Sequence, residues 1–183
     1  MDLNNQFIIA MPNLHDPQFQ RSVTYICQHN QQGSLGITIN RPINMNLSDL
    51  FAYMQIPLED QFIANTPVFS GGPVEPNQGF VLHSADKSWE HSLTINDDFV
   101  LSSSKDVLQA IGIGEGPENY LIAMGYAGWG EGHLEKEISE NSWLNCQADK
   151  NIVFHLNYNK RWQAAAQLMG VDITLISSEA GHA

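Results

Sequence analysis

Few of the connections between the β-favouring runs of this chain have the length of the helical crossovers that a parallel sheet requires. Residues 22–27 and 35–40 are rich in valine, isoleucine and threonine, and only a short polar turn separates them. Residues 93–95 and 99–101 are joined by an Asn-Asp-Asp turn. Parallel neighbours need a crossover of about a dozen residues or more. The spacing therefore predicts an α+β fold whose strands are largely antiparallel.

Short helical segments lie between these runs. Residues 47–54 carry apolar groups at i, i+3, i+4 and i+7, and either Asn46 or Ser48 is placed to cap the segment. A helix-forming run of three alanines precedes Gly170, which is a typical position for a C-terminal glycine cap. The other helical segments lie near residues 103–111 and 134–138.

The composition is that of one folded domain. The chain has 183 residues, of which 43% are hydrophobic and only 15% are charged. Domains commonly contain about 100–200 residues, and ordinary globular domains carry about 25% charged residues. We therefore predict a single domain over residues 1–183 with a substantial buried core.

Charge and cysteine content exclude several classes of protein. A formal net charge of −12 repels the phosphates of nucleic acids, so we expect no direct nucleic-acid binding. No secretion signal or membrane-length apolar run is present, which predicts a cytoplasmic protein without membrane contact. Cys27 and Cys146 stand far apart and outside any CxxC pattern, which indicates reduced thiols rather than a disulfide or a zinc site.

Two segments predict a binding site. They are GSLGITINRP at residues 33–42 and GYAGWGEGHLE at residues 125–135, and in each an apolar run ends in polar or aromatic groups. The first ends in Asn40, Arg41 and Pro42, and the second carries Tyr126, Trp129 and Glu131. Neither contains a nucleophile with a partnered base, a metal-ligand spacing or a phosphate loop. The pattern indicates a surface for binding more than a reaction.

Arg21 and Arg41 are the only positively charged side chains before residue 87. Guanidinium groups bind carboxylates and phosphates through two parallel hydrogen bonds, so this pair predicts a site for an anionic ligand. The alternative is a pair of structural salt bridges with Asp16 and Glu75.

The glycines and aromatic residues of the candidate site also have two interpretations. The segment containing Gly71, Gly72 and Pro73 either lets a ligand approach the bare backbone N–H groups of its glycines or forms a tight turn between strands. Tyr126, Trp129 and Trp143 either stack on a planar ligand or partner, or fill corners of the core.

No cofactor is predicted. Neither GxGxxG nor GxxxxGK[ST] occurs in the chain, so nucleotide cofactors have no support. His133 and Glu137 stand at i and i+4, but a metal site needs a further ligand that the local sequence does not supply.

The catalytic alternative is a hydrolase or a thiol-dependent enzyme. It would use Cys27 or Ser70 as the nucleophile, activated by a histidine distant in sequence. Cys27 and His29 alternate along a predicted strand, but two strand residues span about 6.6 Å, which is too long for a direct hydrogen bond. A buried, inert thiol is the interpretation that we favour.

Several unusual blocks occur in one order along the chain. They are FIIAMPNLHDPQFQRSVTYICQH, GSLGITINRP, FSGGPVE, GYAGWGEGHLE with Asn141 and Trp143 after it, RW at 161 and 162, and the closing EAGHA. In this set the chain resembles the YqgE/AlgH family of bacterial proteins over essentially its whole length. His133 is a departure, because the family usually has glutamine there.

The resemblance implies a small cytosolic α+β protein with a curled, partly barrel-like β-array flanked by helices. It implies no catalytic activity, and the family name reflects a proposed regulatory link to alginate synthesis in some members. The residues that match the family pattern, and that we take as ligand-binding candidates, are Arg21, Asn40, Arg41, Gly71, Gly72, Pro73, Tyr126, Trp129, Glu135, Asn141 and Trp143.

Our leading hypothesis is a non-enzymatic binding or regulatory protein. It holds a small anionic ligand or a protein partner through the region of Arg41, Gly72 and Trp129. A role in transcription would then act through a protein or metabolite rather than through DNA contact. A further alternative treats residues 125–135 as an oligomer contact.

Overall fold

The computed structural model describes residues 1–176, so the closing EAGHA of the sequence lies outside the described residues. Ten strands and five α-helices make up this part. The strands are β1 (Gln6–Ala10), β2 (Val23–Asn30), β3 (Gly33–Thr38), β4 (Pro42–Asn46), β5 (Pro67–Ser70), β6 (Val74–Ser84), β7 (Ser92–Thr94), β8 (Phe99–Ser102), β9 (Tyr120–Gly130) and β10 (Trp143–Gln147). The helices are α1 (Leu47–Met54), α2 (Lys105–Gly112), α3 (His133–Ser139), α4 (Lys150–Phe154) and α5 (Arg161–Gln167).

The strands form one curled sheet in the order β10-β1-β2-β3-β9-β6-β8-β7, with β4 and β5 attached beside β9. Every pair in the sheet is antiparallel except β5–β9, which is parallel. The predicted α+β fold with a largely antiparallel, curled sheet and short flanking helices is confirmed. Within residues 1–176, no helix is long and apolar enough to cross a bilayer.

Strand β9 is the axis of the curl because it changes partner along its length. Its first half pairs with β5 from Ile122 to Met124, and its last four residues, Ala127 to Gly130, pair with β3. Strand β6 runs along the other side. The change of partner falls at Gly125, whose φ of 73° is in the left-handed region that favours glycine.

Three glycines let the backbones meet closely at this point. A Cβ on Gly125 would lie 2.5 Å from the carbonyl oxygen of Gly72, and a Cβ on Gly71 would lie 2.2 Å from that of Gly125. Such distances are shorter than any side chain tolerates, so the segment between β5 and β6 can lie on β9 only as glycine. We call Gly71, Gly72 and Gly125 the glycine junction.

The apolar residues form three buried groups on the two faces of the sheet. One contains Tyr25 and Phe99 under α4 and α5, and a second lies under α1 and α2 around Phe51 and Ile111. The third lies under α3 around Leu134. The first group includes the edge-to-face and tilted aromatic contacts that join β2 to β1 and β8.

Most predicted elements are present, and the differences have local causes. Asn46 caps α1 in a reciprocal capping box with Asp49, as the pattern indicates. The predicted turn at residues 28–33 is mostly strand, because β2 and β3 pair up to Asn30 and Gly33 around a bulge at Cys27. Strand β4 and helix α4 are not predicted, since each has only five residues and little periodicity.

Replacing Gly125 by alanine should destabilise the fold much more than replacing Gly114. Both glycines have positive φ, 73° and 77°, but a Cβ at Gly114 would meet nothing within 4 Å. Gly114→Ala should therefore lower the free energy of unfolding by about 1 kcal/mol, from backbone conformation alone. Gly125→Ala should lower it by a further ~2 kcal/mol or more, because strand backbones must move apart. Urea denaturation measures both; equal losses would contradict close packing at the glycine junction.

Candidate functional site

The first group of predicted site residues surrounds a hollow that we call the arginine cleft. It has a volume of about 440 Å³ and lies where the chain enters β2, leaves β3 and passes into α5. It is lined by Gln20, Arg21, Asn40, Arg41, Pro42, Tyr158, Asn159, Trp162 and Gln163. The lining combines two guanidinium groups with amide side chains and one phenol, which suits a small polar anion.

Hydrogen bonds fix the backbone around Arg21, and its side chain is free to bind a ligand. Its backbone has φ 55°, an uncommon conformation for an arginine, and its carbonyl accepts a hydrogen bond from Asn40 Nδ2 at 2.9 Å. Asn40 Oδ1 accepts from the Val23 amide at 2.8 Å, so both ends of that amide fix the chain around Arg21. The guanidinium carbon lies 5.0 Å from the centre of the Trp162 ring. Asn40 thus positions Arg21 through one hydrogen bond at each polar atom of its amide.

Arg41 stands between the arginine cleft and a second, smaller hollow of about 260 Å³. Its guanidinium donates to the carbonyl of Gln18, and its own carbonyl accepts from the Ser70 amide at 2.8 Å. The second hollow is lined by Pro17, Gln18, Thr38, Arg41, Ser70, Gly72 and Pro73. The structure therefore brings Arg21, Asn40, Arg41, Gly72 and Pro73 together around two adjoining hollows.

A third arginine lies behind the cleft and was not among the predicted site residues. Arg161 is 7% exposed, donates to the carbonyls of Ile39 and Leu156, and lies over the ring of Phe69. Burial lowers the pKa of its guanidinium to about 10, so the group remains charged at neutral pH. Its only signal in the sequence is the RW pair, which an amphipathic helix also explains.

All three arginines of the chain thus gather at one place, in a protein of net charge −12. Within residues 1–176 none of them has a carboxylate within 4.0 Å; the three ion pairs there involve other residues. The salt bridges considered for Arg21 and Arg41 are not observed in this part of the chain. The cleft is therefore a concentration of positive charge, and the described residues supply no carboxylate to pair with it.

The backbone polar groups of Gly71 form hydrogen bonds within the fold. The Gly71 amide donates to Met124 O at 2.8 Å and its carbonyl accepts from the Thr38 amide at 2.8 Å. Neither group is left to hold a ligand. Gly72 and Pro73 reach the smaller hollow beside Arg41, where a ligand would meet them.

The second group of predicted residues lies around α3, separate from the arginine cleft. The indole N–H groups of Trp129 and Trp143 both donate to Glu137 Oε2, at 3.0 and 2.8 Å. Phe19 packs against both rings, with centroids 6.0 and 5.5 Å away. Asn141, with φ 58°, follows the end of α3 and donates its amide to Ile138 O. These contacts fix α3 on the sheet and occupy the polar atoms of both indoles.

Tyr126 lies beside the second group. It packs edge-on against Phe80, with centroids 5.8 Å apart, and lines a hollow with Val74, Gly128 and Trp129. The predicted residues are therefore divided: Arg41 and Gly72 share one hollow, and Tyr126 and Trp129 share another.

Glu135 joins a hydrogen-bonded network with His29 and Ser34. His29 Nε2 lies 3.1 Å from Met1 O and 3.4 Å from Glu135 Oε1, and both of these atoms are acceptors. Nε2 therefore carries the proton, and Nδ1 accepts from the Ser34 hydroxyl at 2.9 Å. Ser34 is 8% exposed, so the network ties the β2–β3 hairpin to α3 rather than presenting a nucleophile in an open cleft.

A second histidine and serine are more deeply buried. His83 is fully buried, and its Nε2 lies 2.7 Å from Ser102 Oγ while Nδ1 lies 2.8 Å from Ser84 O. Burial lowers the pKa of His83, which keeps the imidazole neutral. Ser102 is also fully buried, so this pair joins β6 to β8.

The two nucleophiles considered from the sequence have different surroundings. Cys27 is 3% exposed, contacts Tyr25 O at 3.7 Å, and has its pKa raised by burial. Ser70 lines the smaller hollow, but no histidine within residues 1–176 bonds to its hydroxyl. In the same part of the chain no three histidine, cysteine or acidic side chains are grouped as metal ligands.

The comparison with known proteins agrees with the resemblance seen in the sequence. The family model described as AlgH-like matches residues 7–174. The chain belongs to the AlgH-like family. A UPF0301 protein from Methylococcus capsulatus is 50% identical over 180 residues, covering 98% of this chain and 96% of that protein. Another UPF0301 protein, from Thioalkalivibrio sulfidiphilus, is 50% identical over 182 residues, covering 100% and 97%.

Two solved structures have the same architecture as this chain. The solution structure of AlgH from Pseudomonas aeruginosa matches with a TM-score of 0.80 and 43% identity, covering 99% of this chain and 96% of that one. A crystal structure of a Corynebacterium diphtheriae protein matches with a TM-score of 0.73 over 96% of this chain and 91% of that one. Its identity is 17%, so it supports the fold alone.

Native thiol reactivity should separate a buried thiol from a catalytic one. Because burial raises the pKa of Cys27 and raises that of Cys146 to about 11, both thiols stay protonated at pH 7.5, and the thiolate is the reactive form. We expect iodoacetamide to leave Cys27 unmodified in the folded protein and to alkylate both cysteines in urea. Mass spectrometry of peptides measures this. Rapid alkylation of native Cys27 would contradict the buried-thiol assignment.

Proposed function

We propose that this AlgH-like protein is a non-catalytic binding protein for small organic anions, which it holds in the arginine cleft. The single observation that carries the proposal is the gathering of Arg21, Arg41 and Arg161 without a carboxylate partner within residues 1–176. A protein with 20 acidic residues has many carboxylates available for pairing, so three unpaired guanidinium groups at one place favour an external anion.

The lining indicates the class of ligand. Arg21 and Arg41 supply paired donors for a carboxylate or phosphate, and Gln20, Asn159 and Gln163 supply neutral hydrogen-bonding groups around them. The buried charge of Arg161 adds attraction without contacting the cleft surface. A small hydroxylated or amide-bearing anion matches this combination better than an apolar molecule does.

The proposal places the protein in the cytoplasm and excludes direct DNA contact. Its net charge of −12 opposes binding to a phosphate polymer, whereas a small anion enters a local positive hollow. A regulatory role would therefore follow from ligand binding and from contact with another protein.

A thermal-shift screen with carboxylates and phosphates, including citrate and inorganic phosphate, tests this function. A ligand that binds the native state at 100 times its Kd stabilises it by about 2.7 kcal/mol. Arg21→Gly and Arg41→Met should each weaken binding of a hit by about tenfold or more, because each removes charged hydrogen bonds. Arg21→Gly keeps the positive φ accessible, so the fold should survive the substitution.

The matched control is Lys136→Met, which removes a positive charge from the exposed face of α3. This helix is separate from the arginine cleft. It should leave binding of the same ligand unchanged. The proposal fails if no anion stabilises the wild type, or if the arginine variants respond to the hit as the wild type does.

A further inference from the structure

Another hollow lies on the α1–α2 flank of the sheet, shares Ser70 with the small hollow beside Arg41, and has no part in the proposed function. We call it the methionine cleft. It has a volume of about 530 Å³, within the range of small-molecule sites. Its apolar lining includes Met45, Met54, Met124, Leu50, Leu108 and Ile122. The three methionines come from β4, α1 and β9, so separate elements converge on the hollow.

An irregularity in β6 opens this cleft. The pairing of β6 with β9 shifts between Val74 and Gly79, so the intervening residues leave the ladder. Glu75 in this bulge has φ 46°. At Gly79 the strand rejoins the ladder with β9. Glycine has no side chain, and a Cβ at this position would meet only Met124 Sδ, at 3.9 Å. The space beside Gly79 is therefore empty, whereas the glycine junction is closely packed.

The methionine side chains are suited to an adaptable apolar guest. Met45, Met54 and Met124 are half-buried at the edge of the apolar group under α1 and α2. Thioether side chains are flexible and polarisable, and they adjust to guests of irregular shape. An alkyl chain would bury their exposed surface.

One charge lies at the edge of the cleft. Lys105 is the only ionisable lining residue besides the Tyr53 phenol, in a chain whose acidic residues outnumber its basic ones by 20 to 8. Lys105 Nζ donates to Met54 O at 3.3 Å and has no carboxylate within 4.0 Å in residues 1–176. The neighbouring Asp106 bonds to the Glu90 amide at 2.9 Å and does not line the cleft. An apolar hollow with one cation at its edge is complementary to an amphipathic anion.

We infer that the methionine cleft binds a medium-chain aliphatic carboxylate. The alkyl chain lies among Met45, Met54 and Met124, and the carboxylate pairs with Lys105 at the mouth. The site does not depend on the arginine cleft, and each can be tested when the other fails. We propose no reaction there, because the Ser102 hydroxyl, which lies at the hollow and bonds to His83 Nε2, is itself fully buried.

Isothermal titration with decanoate and with decanol tests the inference. Gly79→Leu fills the empty space next to Met124 and should abolish binding of both probes. Lys105→Met should weaken decanoate by about two- to fivefold, as expected for an exposed ion pair, and should leave decanol unchanged. Lys136→Met is the matched control and should bind both probes as the wild type does.

Met54→Trp, at the rim of the cleft, provides a second blocking variant if Gly79→Leu does not fold by circular dichroism. The inference is overturned if the wild type shows no saturable binding of decanoate, or if the folded blocking variants bind it normally. It is also overturned if sedimentation shows a wild-type dimer that Gly79→Leu alone dissociates, since the occupant would then be a second copy of the chain.

Discussion

The contact of glycine backbone with glycine backbone at Gly125 determines the shape of this protein. Strand β9 can pair with β5 and then with β3 on the same side only because the chain bends there and the segment after β5 lies directly on it. The closeness has an energetic basis: the Gly71 amide and carbonyl complete hydrogen bonds to β9 and to the end of β3. Both flanks of the curled sheet, and the hollows on them, follow from this junction.

Some charged and polar side chains of the fold form hydrogen bonds with one another, and others do not. Glu137 accepts from two indoles, and His29 bridges Ser34 and Glu135, so the residues around α3 form closed networks. The arginines around the arginine cleft, as far as residues 1–176 show, bond to backbone carbonyls or lie on aromatic rings. A guanidinium that donates only to neutral carbonyls keeps its charge available to an anion. This contrast distinguishes a binding surface from internal structure more clearly than residue type does.

The sequence predicts the fold well because the fold depends on short-range signals. Alternating β-favouring runs, the Asn46 cap and the turn before Phe99 are local features, and the structure contains each of them. The sequence predicted which residues belong to the candidate site. It could not show that these residues lie in separate parts of the structure. Trp129 and Arg41 belong to similar glycine-rich motifs, yet the Trp129 indole N–H bonds to a carboxylate of the fold and the Arg41 guanidinium lies at the arginine cleft without one in residues 1–176.

Arg161 and Glu137 show why such assignments need three-dimensional contacts. Arg161 lies 122 residues after Ile39, one of the two residues whose carbonyls it bonds, and no periodicity in the chain connects Arg161 with Ile39. Glu137 reads as an exposed helix residue, and its partners lie on β9 and at the start of β10. The methionine cleft depends on a register shift in β6, which apolar patterning does not reveal because the bulge residues are ordinary loop formers.

Burial of Arg161 gives the positive hollow an unusual response to ionic strength. Mobile ions weaken the attraction of an exposed charge such as that of Arg21 over about 8–10 Å in ordinary buffers, but they cannot surround a side chain enclosed by protein. Salt therefore weakens the attraction between Arg161 and a bound anion less than it weakens the attraction of Arg21. This difference separates the arginine cleft from a surface made of solvent-facing lysines alone.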